Sequence, residues 1–397
     1  MAPNAKTSST LDGVLNLETD HNVYILGAGF SVEANMPTMV NFLSRMRDCY
    51  GWLISQKRTT EAKAVQDVLE FRRSAASAAY WIRMDLDNIE ELFSLASTTS
   101  KKLSNSIRSA IASTLDYSAQ TRSTETMKFG YDGKPWVKEA KWLRPYGDQK
   151  DTYLVNPYSH HVAKLLGMHA TGSPKGKNTF ISFNYDTVLE ESLTDLGIEF
   201  DYCLQKGTSK RSVTEQVNQP VRVLKLHGSI NWGRGKKLKG GTTKRSISAF
   251  KSYKEVFEAG KTPELIAPTW RKIFGSHIHS VWDEAVDVLS GATRVVVIGF
   301  SMPSTDAHIK YLLAGGLQEN ISLKKFVFCD PVISKIKERV TNLFPSQSLE
   351  RDYAVFHELT LSTLTSQSST VLSTIERPDW ISSGISGSTT PYGLSKW

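Results

Sequence analysis

The sequence predicts an α/β fold, a doubly wound parallel sheet carrying a helical insertion, on three observations. Short apolar or β-branched runs end at clusters of Gly, Asn, Asp, His or Ser; amphipathic helical stretches separate those runs; and the first run enters a glycine turn. Val23-Tyr24-Ile25-Leu26 followed by Gly27-Ala28-Gly29-Phe30-Ser31 reads as a buried strand, a tight turn and a helix. Without a Cβ, Gly27 and Gly29 let backbone approach a ligand, whose negative charge then meets the N–H groups opening the helix. Val32 stands where the third glycine of a GxGxxG fingerprint belongs, so the turn alone is a weak nucleotide signal. Three further runs strengthen it: FISFNYD at 180–186, VLKLHGS at 223–229 and VVVIGFSMPSTDAH at 295–308. Ligands of open α/β sheets bind at the carboxyl ends of the strands, so four such ends point to one site.

Each element follows from its pattern. Residues 1–20 are polar and form an N-terminal arm. Met39, Phe42, Leu43, Met46, Cys49, Tyr50, Leu53 and Ile54 recur at helical spacing, which predicts a helix over 38–57. Helical character continues to 120, with Asn88 and Glu91 as a capping pair and Leu103, Ile107, Ile111 and Leu115 marking one more helix. From 120 to 155 the chain turns polar and aromatic, and GYDGKPW at 130–136 marks a turn-rich loop. Pro157 opens a helix to about 168.

Beyond Thr179 strands and helices alternate: strand 179–183, helix 186–195, strands near 199–203 and 221–226, helix 278–290, strand 294–299 and helix 304–314. Lys325–Cys329 reads as the last strand, ending at Asp330-Pro331 before a helix over 332–343. The resulting organisation is a core at 21–59 and 173–345, a helical insertion at 60–172 and a C-terminal extension at 346–397.

Composition sets bounds. The 397 residues are 40% hydrophobic, ordinary for a globular chain, and no apolar run is long enough to span a membrane; with a polar N-terminus this predicts a cytoplasmic protein. Cys49, Cys203 and Cys329 are far apart in apolar surroundings, which predicts buried thiols rather than a disulfide framework or a zinc site. The net charge of +8 is concentrated at 234–254, where eight basic and no acidic residues stand among Gly, Ser and Thr. That stretch reads as a mobile, solvated loop, with contact to nucleic acid as the alternative.

GAGFS with Pro37 shortly after, FNYD, KLHGS and IGFSMPSTDAHIKYLL, in that order, resemble the sirtuin-like domains of bacterial anti-phage defence proteins. The resemblance implies a Rossmann-like sirtuin core that binds NAD and cleaves the bond between nicotinamide and ribose. It places a catalytic asparagine at Asn184. His227 suits the base, since imidazole titrates near neutrality. Asp186 either fixes Asn184 or caps the helix it opens. Gly27, Ala28, Gly29, Phe30, Ser31, Pro37, Gly228 and Ser229 complete the dinucleotide site, with Gly299 and Ser301 near phosphate or ribose. Asp330 either holds the adenosine ribose or forms a turn before Pro331. Asp306 and His308 belong to the same motif but remain unassigned.

Two departures from the deacylase branch matter. Zinc-ribbon cysteines are absent, and Asn35-Met36-Pro37-Thr38 stands where deacylases carry a glycine-isoleucine-proline-aspartate run. Water is then the simplest acceptor, which makes the expected activity NAD glycohydrolysis by a gated effector of anti-phage defence. Chains of this kind resemble those encoded beside a HerA-type hexameric ATPase and imply a homo-oligomer. The sequence has no GxxxxGK[ST] word, so any ATPase is a separate protein. The alternatives are a sensor that binds NAD or ADP-ribose without catalysis, and a subunit that meets DNA through the basic stretch.

Overall fold

A computed structural model describes residues 20–99, 101–168, 171–204, 220–237, 245–266, 276–302, 307–318, 320–343 and 354–366. β1 (His21–Leu26) runs into a 3-10 helix (Ala28–Ala34), then α1 (Phe42–Ser55), α2 (Thr59–Ser74), α3 (Ala76–Ile82), α4 (Ile89–Thr99) and α5 (Lys101–Gln120). β2 (Met127–Gly130), α6 (Pro135–Glu139), β3 (Arg144–Pro145), β4 (Thr152–Val155) and α7 (Pro157–Leu165) follow. Next come β5 (Lys177–Ser182), α8 (Val188–Asp195), β6 (Phe200–Asp201), β7 (Val221–Lys225), β8 (Gly228–Lys237), β9 (Arg245–Ala249), α9 (Tyr253–Glu258) and β10 (Thr262–Leu265). α10 (Ser276–Ser290), β11 (Arg294–Ile298), α11 (Ala307–Leu317), β12 (Lys325–Cys329), α12 (Ile333–Leu343), β13 (Ala354–His357) and a short helix at Leu361–Ser366 complete the order.

Seven strands form one sheet in the order β13-β12-β11-β1-β5-β7-β6, and every pair is parallel. β1, β7, β11 and β12 are buried at every position, as strands are when helices cover both faces. From β1 the chain builds outward on one side through β5, then returns to the other side of β1 to add β11, β12 and β13. The strand order therefore reverses between β1 and β11, the topological position at which open α/β sheets bind ligands beyond the carboxyl ends of their strands.

The opposite edge is closed by its own charges. Asp20 pairs with Arg294 at 2.7 Å and with Lys324 at 2.8 Å, and Arg294 also donates to Asn22 at 3.2 Å. There His21 shares a 3.1 Å hydrogen bond with Thr179, and burial lowers its pKa to about 3. The unfolded chain takes up this proton near pH 6.5 while the folded chain resists it. Stability is therefore expected to be level above about pH 6.5 and to fall as pH drops toward 3, by up to about 1.4 kcal/mol per pH unit from this group. Urea midpoints measured from pH 8 to pH 4 check this, and His21→Gln should flatten the slope.

Local chemistry accounts for the boundaries. Asn156 accepts the Tyr158 N–H at 2.9 Å and Pro157 takes the first helical position, so α7 starts where expected. Asn88 accepts the Glu90 N–H at 2.9 Å, but Glu91 reaches back to the Asp85 N–H at 2.7 Å rather than to Asn88. The expected capping box is thus a cap with a longer return.

Four expectations need correction. The loop of 120–155 contains an antiparallel sheet, β2-β4-β3, over a small core of Val137, Leu143 and Val155. Lys325–Cys329 is not the last strand, because β13 pairs with it on the sheet edge. The basic stretch is not simply a loop: β8 pairs antiparallel with β9 and β10, and Arg234 is held by Glu264 at 2.6 Å. Lys239 and Lys244 lie outside the described residues. Among the thiols Cys49 and Cys329 are buried, each raised to about 12, while Cys203 is only half-buried beside Asp201.

Candidate functional site

The turn after β1 and the turn after β11 are in backbone contact. A Cβ on Gly27 would lie 2.5 Å from the Phe300 Cα, and one on Gly299 would lie 2.3 Å from the Gly29 carbonyl carbon. Gly299 also has φ +58, a conformation glycine adopts without strain. The Gly27 N–H donates to Ile298 at 3.1 Å and the Gly29 N–H to Gly299 at 2.8 Å. These two amides are spent on the neighbouring strand, so the glycines supply close approach rather than anion-binding N–H groups. Ala28 is exposed and Gly29 half-exposed at the crest, where the 3-10 helix opens.

Asn184 reaches this turn from the end of β5. Its Nδ2 donates to the Gly27 carbonyl at 2.8 Å and to Ser31 Oγ at 3.3 Å, and its own N–H is fixed by Ser182 Oγ at 3.1 Å. Ser31 Oγ donates onward to Asp186 at 3.1 Å. The same Asp186 oxygen accepts the Val188 N–H at 3.1 Å, so this residue both steadies the Asn184 neighbourhood and caps α8. Burial pushes its carboxyl up, opposed by the Lys225 ammonium.

His227 follows β7. The flanking rings of Asn184 bracket its imidazole: Phe183 meets it edge-on at 5.2 Å and Tyr185 at 6.2 Å. The His227 carbonyl accepts the Ile266 N–H at 2.9 Å. Phe183 stacks on Phe300 at 4.4 Å, which joins the ends of β5, β7 and β11 in one aromatic wall. Trp282 extends it, donating to the Leu226 carbonyl at 3.1 Å and meeting the His308 ring at 6.0 Å.

Other expected residues sit differently. Phe30 is 1% exposed and packs against Tyr158, whose hydroxyl donates to the Phe30 carbonyl at 2.6 Å. Ser229 is fully buried, with its hydroxyl 3.4 Å from the Tyr185 carbonyl, and Gly228 at φ +83 leaves no room for a Cβ against Glu264. Pro37 is buried. Ser301 is exposed at the site edge, and its carbonyl accepts from Arg339. Asp330 accepts the Val332 N–H at 2.8 Å, a turn that starts α12. Asp306 lies outside the described residues.

Sequence reasoning missed the support beneath the site. Lys225, 1% exposed, donates to the Asp186 carbonyl and pairs with Glu190 at 2.9 Å; Tyr202 donates to Glu190 at 3.2 Å and receives Asn231 at 3.0 Å. Removing one member of a buried pair strands the other charge. Lys225→Met is expected to cost about 3–5 kcal/mol in urea unfolding, and the double change with Glu190→Gln to recover much of it. Arg339 and the aromatic wall were missed as well. The repeated Gly-Phe step at 29–30 and 299–300 was the available signal.

No protein-family model and no curated protein matches the chain. Among solved structures, a Sir2 homologue in complex with NAD aligns at TM-score 0.40 with 11% identity, covering 93% of this chain and 96% of that one. A Sir2 homologue mutant in complex with ADP-ribose aligns at TM-score 0.41 with 12% identity, covering 92% and 97%. A further Sir2 enzyme structure gives 0.39 and 12%, covering 92% and 96%.

Proposed function

We propose that the protein is an NAD glycohydrolase, releasing nicotinamide and ADP-ribose. One observation carries this reading: Asn184 bonds the Gly27 turn beside the reversal of a parallel sheet, and the rings on either side of Asn184 pack on the His227 imidazole at the end of the next strand. Strand ends of this kind in open α/β sheets take dinucleotides. In the reaction the bond between C1′ and the nicotinamide nitrogen breaks, and its electron pair neutralises the pyridinium. Water oxygen bonds to C1′, and the water proton passes to His227 and then to solvent. Asn184 orients the ribose hydroxyls or the water without acquiring charge. Asp186 acts on the site through Ser31, as a positioning residue.

The motif order supports a wider role: a gated effector that depletes NAD in bacterial anti-phage defence, acting in the cytoplasm. In that role the chain forms a homo-oligomer and takes a HerA-type ATPase as regulatory partner.

A second reading rests on the burial of His227, which is 9% exposed between aromatic rings. On that reading the site holds NAD or ADP-ribose and performs no chemistry. Nicotinamide release and NAD binding, measured on wild type and Asn184→Ala, separate the two. Glycohydrolysis predicts release by wild type and a loss of about 100-fold or more in the variant. Binding without release by wild type, also with its partner present, would favour the sensor.

A further inference from the structure

The 3-10 helix Ala28–Ala34 has two dissimilar sides. Ser31 is fully buried toward Asp186 and Asn184, whereas Val32 and Glu33 are exposed on a cleft of about 700 Å³. The end of α5 and the start of α7 form the other walls. Its size is that of small-molecule sites. The charges that line it are unevenly compensated. Arg122 is neutralised by Glu191 at 3.2 Å. Arg45, half-buried on α1, donates to the neutral Asn35 Oδ1 at 2.9 Å and forms no ion pair among the described residues. Glu33 receives only the Ser362 hydroxyl, at 2.8 Å, and Glu125 likewise has no cationic partner among the described residues. His161, whose pKa burial lowers to about 4, is neutral in the same wall at physiological pH.

A purely anionic ligand would meet Arg45 but face two carboxylates, and a purely cationic one would face Arg45. A molecule bearing both charges satisfies both walls. We propose that this cleft is a second ligand site, for a small zwitterion of the amino-acid class, with its carboxylate on Arg45 and its ammonium on Glu33.

The cleft and the strand-end site share the 3-10 helix, which lines the cleft at Val32–Asn35 and bonds Asn184 through Ser31. Asn35 closes the 3-10 helix at φ +66, its N–H directed at the Ser31 and Val32 carbonyls, and its amide donates to the Ser118 carbonyl at 3.0 Å. A ligand carboxylate competing for Arg45 shifts Asn35 and, through the helix, the Ser31 hydroxyl that Asn184 shares. This regulatory consequence rests on the proposed NAD chemistry; binding in the cleft does not.

Calorimetry on the full chain with three matched probes tests the binding: γ-aminobutyrate, butyrate and butylamine. Saturable binding in the millimolar range is expected for γ-aminobutyrate alone. It should weaken about tenfold or more in both Arg45→Gln and Glu33→Gln. Glu33 is exposed, so its amide variant keeps the fold. Equal binding of butyrate, insensitivity to both substitutions, or no saturation, meaning charges that are merely solvated, would overturn the proposal. Each of these outcomes leaves nicotinamide release by wild type as a separate question.

Discussion

Gly299→Ala is expected to unfold or severely destabilise the protein, by about 4 kcal/mol or more. Two costs combine. The residue has φ +58, where a side chain is strained, and its Cβ would sit 2.3 Å from both the Gly29 carbonyl carbon and the Phe30 nitrogen. Those are backbone atoms of a turn tied by hydrogen bonds to β11, so no side chain can swing aside. Gly197 supplies the control. It has φ +70 with no atom within 4 Å of an added Cβ, so Gly197→Ala should cost only about 1 kcal/mol. Similar midpoints for the two variants in urea would mean that the turns after β1 and β11 do not touch as described.

His227→Ala should lower nicotinamide release by about 10²–10⁴-fold, the usual contribution of a positioned base. The ring is buried against Phe183 and Tyr185, so some stability is lost with it. His227→Gln, which keeps much of the volume and a polar end, separates packing from proton transfer. A base requires both variants to be inactive while NAD still binds. Full activity in the glutamine variant would make the imidazole a packing group.

The reversing parallel sheet was legible because its strands are buried on both faces and end at small or polar residues. That Asn184, His227 and the glycine turn stand at strand ends was legible for the same reason. Other elements were hidden by competing signals. The alternation in Ser246-Ile247-Ser248-Ala249 marks β9, but surrounding lysines and arginines dominated the reading toward a loop. β13 is four residues long and leaves only a faint pattern. Lys225 reads in sequence as an ordinary surface charge; only the fold shows it enclosed with Glu190 beneath Asp186. The burial of Phe30 and Ser229 was not legible, since the motifs that carry them do not show which way each side chain faces.

On the proposed function, the dinucleotide is expected at the reversal of the sheet, between Asn184 and His227. A crystal structure with ADP-ribose tests it most directly. The pyrophosphate should lie against the Ala28–Gly29 crest, and the nicotinamide-side ribose within hydrogen-bond reach of Asn184 and His227. ADP-ribose seated instead in the Arg45 cleft, or away from the carboxyl ends of β1, β5 and β7, would rule out a dinucleotide site between Asn184 and His227.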